Sequence, residues 1–392
     1  MRSEGKITTL PTARTDPFDP PDGLGGLRPL TRLVYADGHL GWLALGHAAV
    51  RAVLSDPRFS TRPELKHEPL SSGLGQLGAD LAQPGMFVHM DPPEHTRYRR
   101  LLTGQFTLAR MRRLEPRIEK ITEEQLDELA RHGSPADLVA GFALPVPSLV
   151  ICELLGVPYA GRERFQRDSA IVMRGASAGE DVMRAYASLY AFLGELVAAK
   201  RAAPADDLIS DLLATEELTD EELINICLLL LIAGHETTAN MIALGAYRLL
   251  TEPAQLSALH ADPAAAAEEL LRYLSIPHIG PIRVALEDVE IEGEVIKAGE
   301  SVTVSLPAAN RDPRKFEHPD RLDLGRGASG QLAFGHGIHQ CLGQQLARIE
   351  LRLVYSALFS RFPGLRLAVS PEDVPLRTDM LVYGVHRLPV AW

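Results

Sequence analysis

From Asp220 to Leu250 the chain places apolar side chains at helical spacing over thirty-one residues. At 1.5 Å per residue, a helix over this span is about 46 Å long. Thr219 followed by Glu222 forms a capping box at its start. A helix that long crosses a whole domain, so the rest of the chain must be built around it. Its longest uninterrupted apolar run, Ile226 to Ala233, is bracketed by Glu221, Glu222, His235 and Glu236. That is far short of the roughly 18 residues that span a bilayer. The N-terminal MRSEGKITTLPTARTDPFDPPDG is polar and proline-rich, without an apolar leader segment. The expectation is a core helix in a soluble, cytoplasmic protein.

The remaining pattern is mostly helical. Helix spacing covers Leu43 to Leu54, a stretch from about Glu94, Leu114 to Ala130, Asp262 to Leu274 and Leu342 to Phe359. Arg162 to Arg201 reads as two helices with a turn at Gly175 to Gly179. Strand character first emerges at Val289 to Ile291, Val295 to Ile296 and Val302 to Val304, read as hairpins. The first 25 residues read as an extended arm. Hydrophobic residues at 46% and charged residues at 23% exclude disordered and collagen-like chains. The fold class expected is mainly α with small β-sheets, with 1–392 as a single domain.

Forty Lys and Arg against 51 Asp and Glu give a net charge of −11, which argues against nucleic acid as a partner. The three cysteines, Cys152, Cys227 and Cys341, are far apart with no CxxC pair. Free thiols in a reducing compartment are expected.

Chemistry concentrates in FGHGIHQCLG, residues 334–343. Cys341 follows a glycine-rich turn and immediately precedes a helix. Free N–H groups and the positive end of the helix dipole favour a thiolate there. Gly335, Gly337 and Gly343 permit tight backbone and the approach of a flat partner. A metal alternative stands beside this one: His336, His339 and Cys341 have spacing acceptable for zinc in a helical regulatory protein. A second cluster lies on the long helix in LLLLIAGHETTAN, where Gly234, Glu236, Thr237 and Thr238 interrupt an apolar helix. A carboxylate there is costly unless it has solvent or a task. Gly234 is expected to open a groove, with His235 beside it, and Thr237 to bond back to the Ala233 carbonyl. Glu269 and Arg272 in EELLR are i, i+3 on a helix.

FGHGIHQCLG resembles the cysteine loop of the cytochrome P450 family, FGxGxHxCxG, at Phe334, Gly335, Gly337, His339, Cys341 and Gly343. The resemblance runs along the chain through MDPPEH, AGHETT, EELLR, ANRDP and HQCLG. It is similar to soluble actinobacterial members that hydroxylate macrolides, statins, secosteroids and xenobiotics. It implies the cytochrome P450 fold, with the long helix over a haem b whose iron is bound by Cys341. It implies Glu236 and Thr237 as the acid–alcohol pair that delivers protons as the O–O bond breaks. It implies His95, Arg99, Arg283 and His339 as the haem-propionate partners. Phe334 and Gly335 join these as cofactor-binding positions. It makes Glu269, Arg272 and Arg321 a structural triad.

The activity implied is insertion of one oxygen atom from O2 into a mid-sized lipophilic molecule, in secondary metabolism or xenobiotic oxidation. Electrons would come from NAD(P)H through a ferredoxin and its reductase, and the protein would be a monomer. The basic set Arg110, Arg112, Arg113, Arg117, Arg326 and Arg348 is a candidate docking face for an acidic ferredoxin. The runner-up is a peroxide-driven peroxygenase. The substrate pocket is expected to draw on residues 65–88, 165–195, 230–237, 276–282 and 380–383. His278 stands in that region as either a substrate contact or an incidental surface residue.

Overall fold

The computed structural model describes residues 9–70, 83–173, 180–378 and 380–392. The expected turn at 175–179 and half of the expected pocket loop at 65–88, residues 71–82, lie outside the described residues. Residues 9–25 are not a free extended arm. They fold back through turns, with Leu10 and Leu24 packed beside Leu33 and Leu43, and Phe18 in the main core.

Strand structure begins far earlier than the pattern suggested. β1 (Leu30–Val34) and β2 (Leu40–Ala44) form an antiparallel pair, with Thr31 opposite Leu43. Residues 42–44 of β2 are buried on both faces, so their sequence lacks the polar alternation that marks a half-buried strand. The helix expected from Leu43 therefore starts later, as α1 (His47–Ser55). After β3 (Phe59–Ser60) come α2 (Glu94–Thr103), α3 (Leu108–Arg113) and α4 (Glu115–His132). Then follow β4 (Ala136–Asp137), α5 (Pro145–Leu155), α6 (Tyr159–Met173), α7 (Glu180–Ala202) and α8 (Leu208–Leu213).

The long helix is α9 (Asp220–Thr251). Its capping box is formed: Glu222 N–H donates to Thr219 Oγ1 at 3.2 Å, and Thr219 N–H donates to Glu222 Oε2 at 2.8 Å. The helix is apolar and long enough to cross a membrane, but most of it is buried against other helices. Two glycines set how closely neighbours approach. A Cβ on Gly245 would stand 2.0 Å from the Tyr355 hydroxyl, and one on Gly234 would stand 2.8 Å from Ile151 Cδ1 of α5. Gly234 thus seats α5 on α9 rather than opening a groove.

Beyond α10 (Leu256–Ala261) and α11 (Pro263–Leu274) lie β5 (Ile282–Ala285), β6 (Val289–Ile291), β7 (Glu294–Ile296) and β8 (Ser301–Val304). Of these four strands, β6 and β7 alone pair as a local hairpin. β8 sits inside a five-stranded sheet ordered β1-β2-β8-β5-β3, parallel to β2 and antiparallel to β5. α12 (Leu306–Ala309) and α13 (Gln344–Arg361) complete the helices, and β9 (Arg366–Leu367) and β10 (Pro389–Ala391) pair in a small sheet with β4.

The Glu269–Arg272 pair is fully buried in α11, with two hydrogen bonds of 2.7 and 2.8 Å. Its third member is not the Arg321 side chain. Arg326 Nε meets Glu269 Oε1 at 3.0 Å, while Arg321 turns its side chain outward and offers only its carbonyl to Arg272 and Arg326. Two arginines five residues apart in an irregular stretch are indistinguishable until the turn between them is known.

Candidate active site

The cysteine loop is built by backbone bonds. Gly335 N–H donates to Leu332 O, Gln340 N–H to Gly337 O, and Cys341 N–H to Phe334 O at 2.9 Å. Gly335 and Gly337 have φ of +69° and +75°, where side chains are disfavoured. A Cβ on Gly337 would stand 2.2 Å from the Leu54 carbonyl, so this glycine also seats the loop on the end of α1. The Arg348 guanidinium lies 4.6 Å over the Phe334 ring. Arg99 of α2 donates to the Gln340 carbonyl at 3.0 Å.

Cys341 is the one exposed thiol of the three. Burial pushes Cys152 and Cys227 up to about 12, which leaves them inert. Cys341 stands at the floor of a recess: protein does not cover its side chain, yet desolvation raises the thiol. The Gly343 N–H, Arg99 and Arg348 pull the other way. The helix end expected to make the thiolate is a weak influence because Cys341 lies three residues before Gln344, the first residue of α13. A coordinated metal deprotonates a thiol outright.

His95, Arg99, Arg283 and His339, scattered over 245 residues, come together here with Lys66. The His95 and His339 rings lie 4.1 Å apart. Neither ring nitrogen of His95 has a hydrogen-bond partner. Burial, then Arg99, lowers His95 to about 4. Burial, then Arg283, His95, Arg99 and Lys66, lowers His339 to about 2. Burial brings Arg283 down to about 10 and, with Arg283 beside it, Lys66 to about 8. Asp91 faces this cluster, with Glu68 and Glu64 beside Lys66, and the Asp91 oxygens are tied to Ser60 Oγ and the Thr61 N–H. A cleft of about 740 Å³ opens beside it, lined by Phe59, His89, Arg283, Ile338 and His339. Lys66 carried no sequence signal, being a lone lysine in a polar loop.

α9 is covered along most of its length, but Leu229, Ile232, Ala233, Glu236 and Thr237 are not fully buried. Their spacing puts them on one helical face. Thr237 Oγ donates to the Ala233 carbonyl at 2.6 Å, as expected. Glu236 is ion-paired with Arg377, whose Nη1 also reaches Asn240 Oδ1 at 3.3 Å. Burial raises the Glu236 carboxyl, and Arg377 draws it back. Arg377 was not predicted; an arginine in an irregular C-terminal stretch gives no cue to its partner. His235 does not border the uncovered face: it is buried and bonds the Leu144 carbonyl at 3.1 Å.

Other expectations are corrected. Leu230 and Tyr383 are buried members of the main core. His278 is not an exposed surface residue. It is buried and stacks on Tyr383 at 5.6 Å, with Arg14 3.9 Å over the other ring. In the basic set, Arg326 belongs to the Glu269 cluster, Arg110 pairs with Asp211, and Arg117 with Glu153. A second cleft, of about 630 Å³, joins Arg112, Arg348 and Arg352 with Glu115 and Glu268. Among the described residues, no three His, Cys, Asp or Glu side chains converge on a metal position, so His336, His339 and Cys341 do not form a zinc site.

A reachable thiol in a glycine loop, a cationic cluster short of anions, and one bare face on a buried helix fit a flat, doubly carboxylated cofactor ligated through sulfur. The residues present therefore fit a haem, and the fold and site together define a haem-thiolate oxygenase. The family model "Cytochrome P450" matches residues 180–263 and 264–389, and the chain belongs to the cytochrome P450 family. Cytochrome P450 105C1 of a Streptomyces species is 54% identical over 391 residues, covering 98% of each chain. Vitamin D3 dihydroxylase of Streptomyces griseolus is 44% identical, covering 98% of this chain and 96% of its own. The solved structure of cytochrome P450 MoxA from Nonomuraea recticatena matches with a TM-score of 0.92 at 46% identity, covering 98% of each chain. The protein is thus a haem-dependent monooxygenase of lipophilic small molecules.

Proposed function

We propose that Cys341 Sγ would ligate the iron of haem b, and that His95, Arg99, Arg283 and His339 would hold its two propionates. The observation that carries this reading is the cluster itself: His95, Arg99, Arg283 and His339 converge beside Cys341, and among the described residues neither ring nitrogen of the buried His95 has a hydrogen-bond partner. Charge-assisted bonds to carboxylates would satisfy them. The haem, when bound, supplies the oxygen-activating chemistry. The balanced reaction consumes O2, two electrons and two protons, and yields an oxygenated product and water.

Glu236 and Thr237 are the groups of this chain that move those protons. Thr237 holds its hydroxyl on the Ala233 carbonyl, and Glu236 keeps a carboxyl at the edge of the uncovered face. Leu229 and Ile232 make the same face apolar, which binds a lipophilic molecule and excludes water. The electrons come from NAD(P)H through a ferredoxin and its reductase, docking where Arg112 and Arg113 have no ion-pair partner among the described residues. The chain acts as a single-domain, cytoplasmic monomer; its free thiols suit a reducing compartment. Relatives named vitamin D3 dihydroxylase and pentalenic acid synthase support a lipophilic substrate without naming this chain's own.

The test is the visible spectrum of the reduced protein under carbon monoxide. A Soret band at the wavelength for which the family is named is expected, lost in Cys341→Ala. Stoichiometric zinc without haem absorbance would overturn the reading. The peroxygenase alternative is disfavoured by Glu236 and Thr237, since peroxide brings its own protons.

A further inference from the structure

Lys66 and Arg283 point at the same oxygen. Lys66 Nζ and Arg283 Nη1 each lie 3.4 Å from Thr61 Oγ1, whose own proton goes to the Val88 carbonyl. One neutral hydroxyl shared by two cations leaves their remaining donors without an anion. The backbone on both sides of Lys66 is also fixed, its own N–H donating to Pro63 O at 3.1 Å. His67 N–H donates to Ser301 Oγ at 3.1 Å, and Glu68 O accepts from Ala36 N–H at 3.1 Å. The His67 ring stacks on His39 at 3.7 Å and bonds Asp37. Nearby Glu64 is paired with Arg62, and Glu68 makes no ion pair with Lys66 among the described residues.

We propose that Lys66 is a third cationic anchor of the cofactor's carboxylates, delivered by the segment that leads into residues 71–82. It rests on the haem reading above. The test uses purified holoenzyme. Haem transfer to excess apomyoglobin is followed in the Soret region, and the ferric–ferrous midpoint is measured by titration. In Lys66→Met and Lys66→Gln, haem loss should quicken about tenfold, the effect of one charge-assisted hydrogen bond. The midpoint should fall, because removing a positive charge favours the ferric state. Lys66→Arg should restore both. Wild-type haem loss and an unchanged midpoint in either neutral variant would overturn the anchor and leave the haem reading standing. A lowered melting temperature with no change in midpoint would mark Lys66 as merely structural and also overturn it. A wild-type protein that takes up no haem would sink the haem reading, and the anchor with it.

Discussion

Glu236 and Thr237 are neighbours in sequence but are held by different partners, and their variants should separate accordingly. Thr237→Ala removes a hydroxyl that touches only the Ala233 carbonyl. Folding should be untouched, while product formed per NAD(P)H falls about tenfold or more and peroxide accumulates. Unchanged coupling would remove Thr237 from proton delivery. Arg377→Gln acts on the other member. Arg377 lowers a carboxyl that burial raises, so its loss leaves burial to act alone and the carboxyl rises further. The pH profile of coupled turnover should move to higher pH, with haem content unchanged. Glu236 was legible in the sequence because a carboxylate inside an apolar helix needs a reason. Arg377 and Lys66 were not, since a basic residue in an irregular segment carries no period from which its partner can be inferred.

Helices and their junctions are where the structural ion pairs act. Arg272→Ala leaves Glu269 buried beside Arg326 alone and should cost roughly 3–5 kcal/mol, with little folded protein recovered. Arg321→Ala should stay within about 0.5 kcal/mol of wild type, because only the carbonyl of Arg321 is used. Thermal melts of the pair decide whether the third member is Arg326 or Arg321. Gly245→Ala drives a methyl into the Tyr355 hydroxyl and should cost about 1–3 kcal/mol, partly recovered by adding Tyr355→Phe. The helices were readable because their apolar spacing and caps are local. β1 and β2 were not, because residues 42–44 are buried on both faces and their identity as strand rests on a partner near residue 302.

At the scale of the whole molecule, acid stability draws on several paired carboxylates, of which Glu222 is strongly lowered. Burial would raise Glu222, but hydrogen bonds from Arg97, Tyr98 and Thr219 hold it at about 2 against an ordinary 4.5. Its contribution is full above pH 4.5 and is lost as pH falls toward 2. Glu222→Gln should flatten stability between those limits in denaturant titrations at stepped pH. Partner docking also belongs to this scale. Arg112→Glu should raise the ferredoxin concentration needed for half-maximal rate, and the difference should shrink as salt screens the interface.

The parallel pairing of β2 with β8 sets a clock on biosynthesis. Trp42 stands opposite Val302, and its indole N–H meets Glu300 Oε2 at 2.7 Å, a separation of 258 residues. At about 5–20 residues per second, the ribosome needs roughly 13–50 s to add that length. Through that interval Trp42, Leu43 and Ala44 have no sheet partner on the β8 side. The N-terminal hairpin is therefore an early customer for chaperones, and the last third of the chain is what releases it.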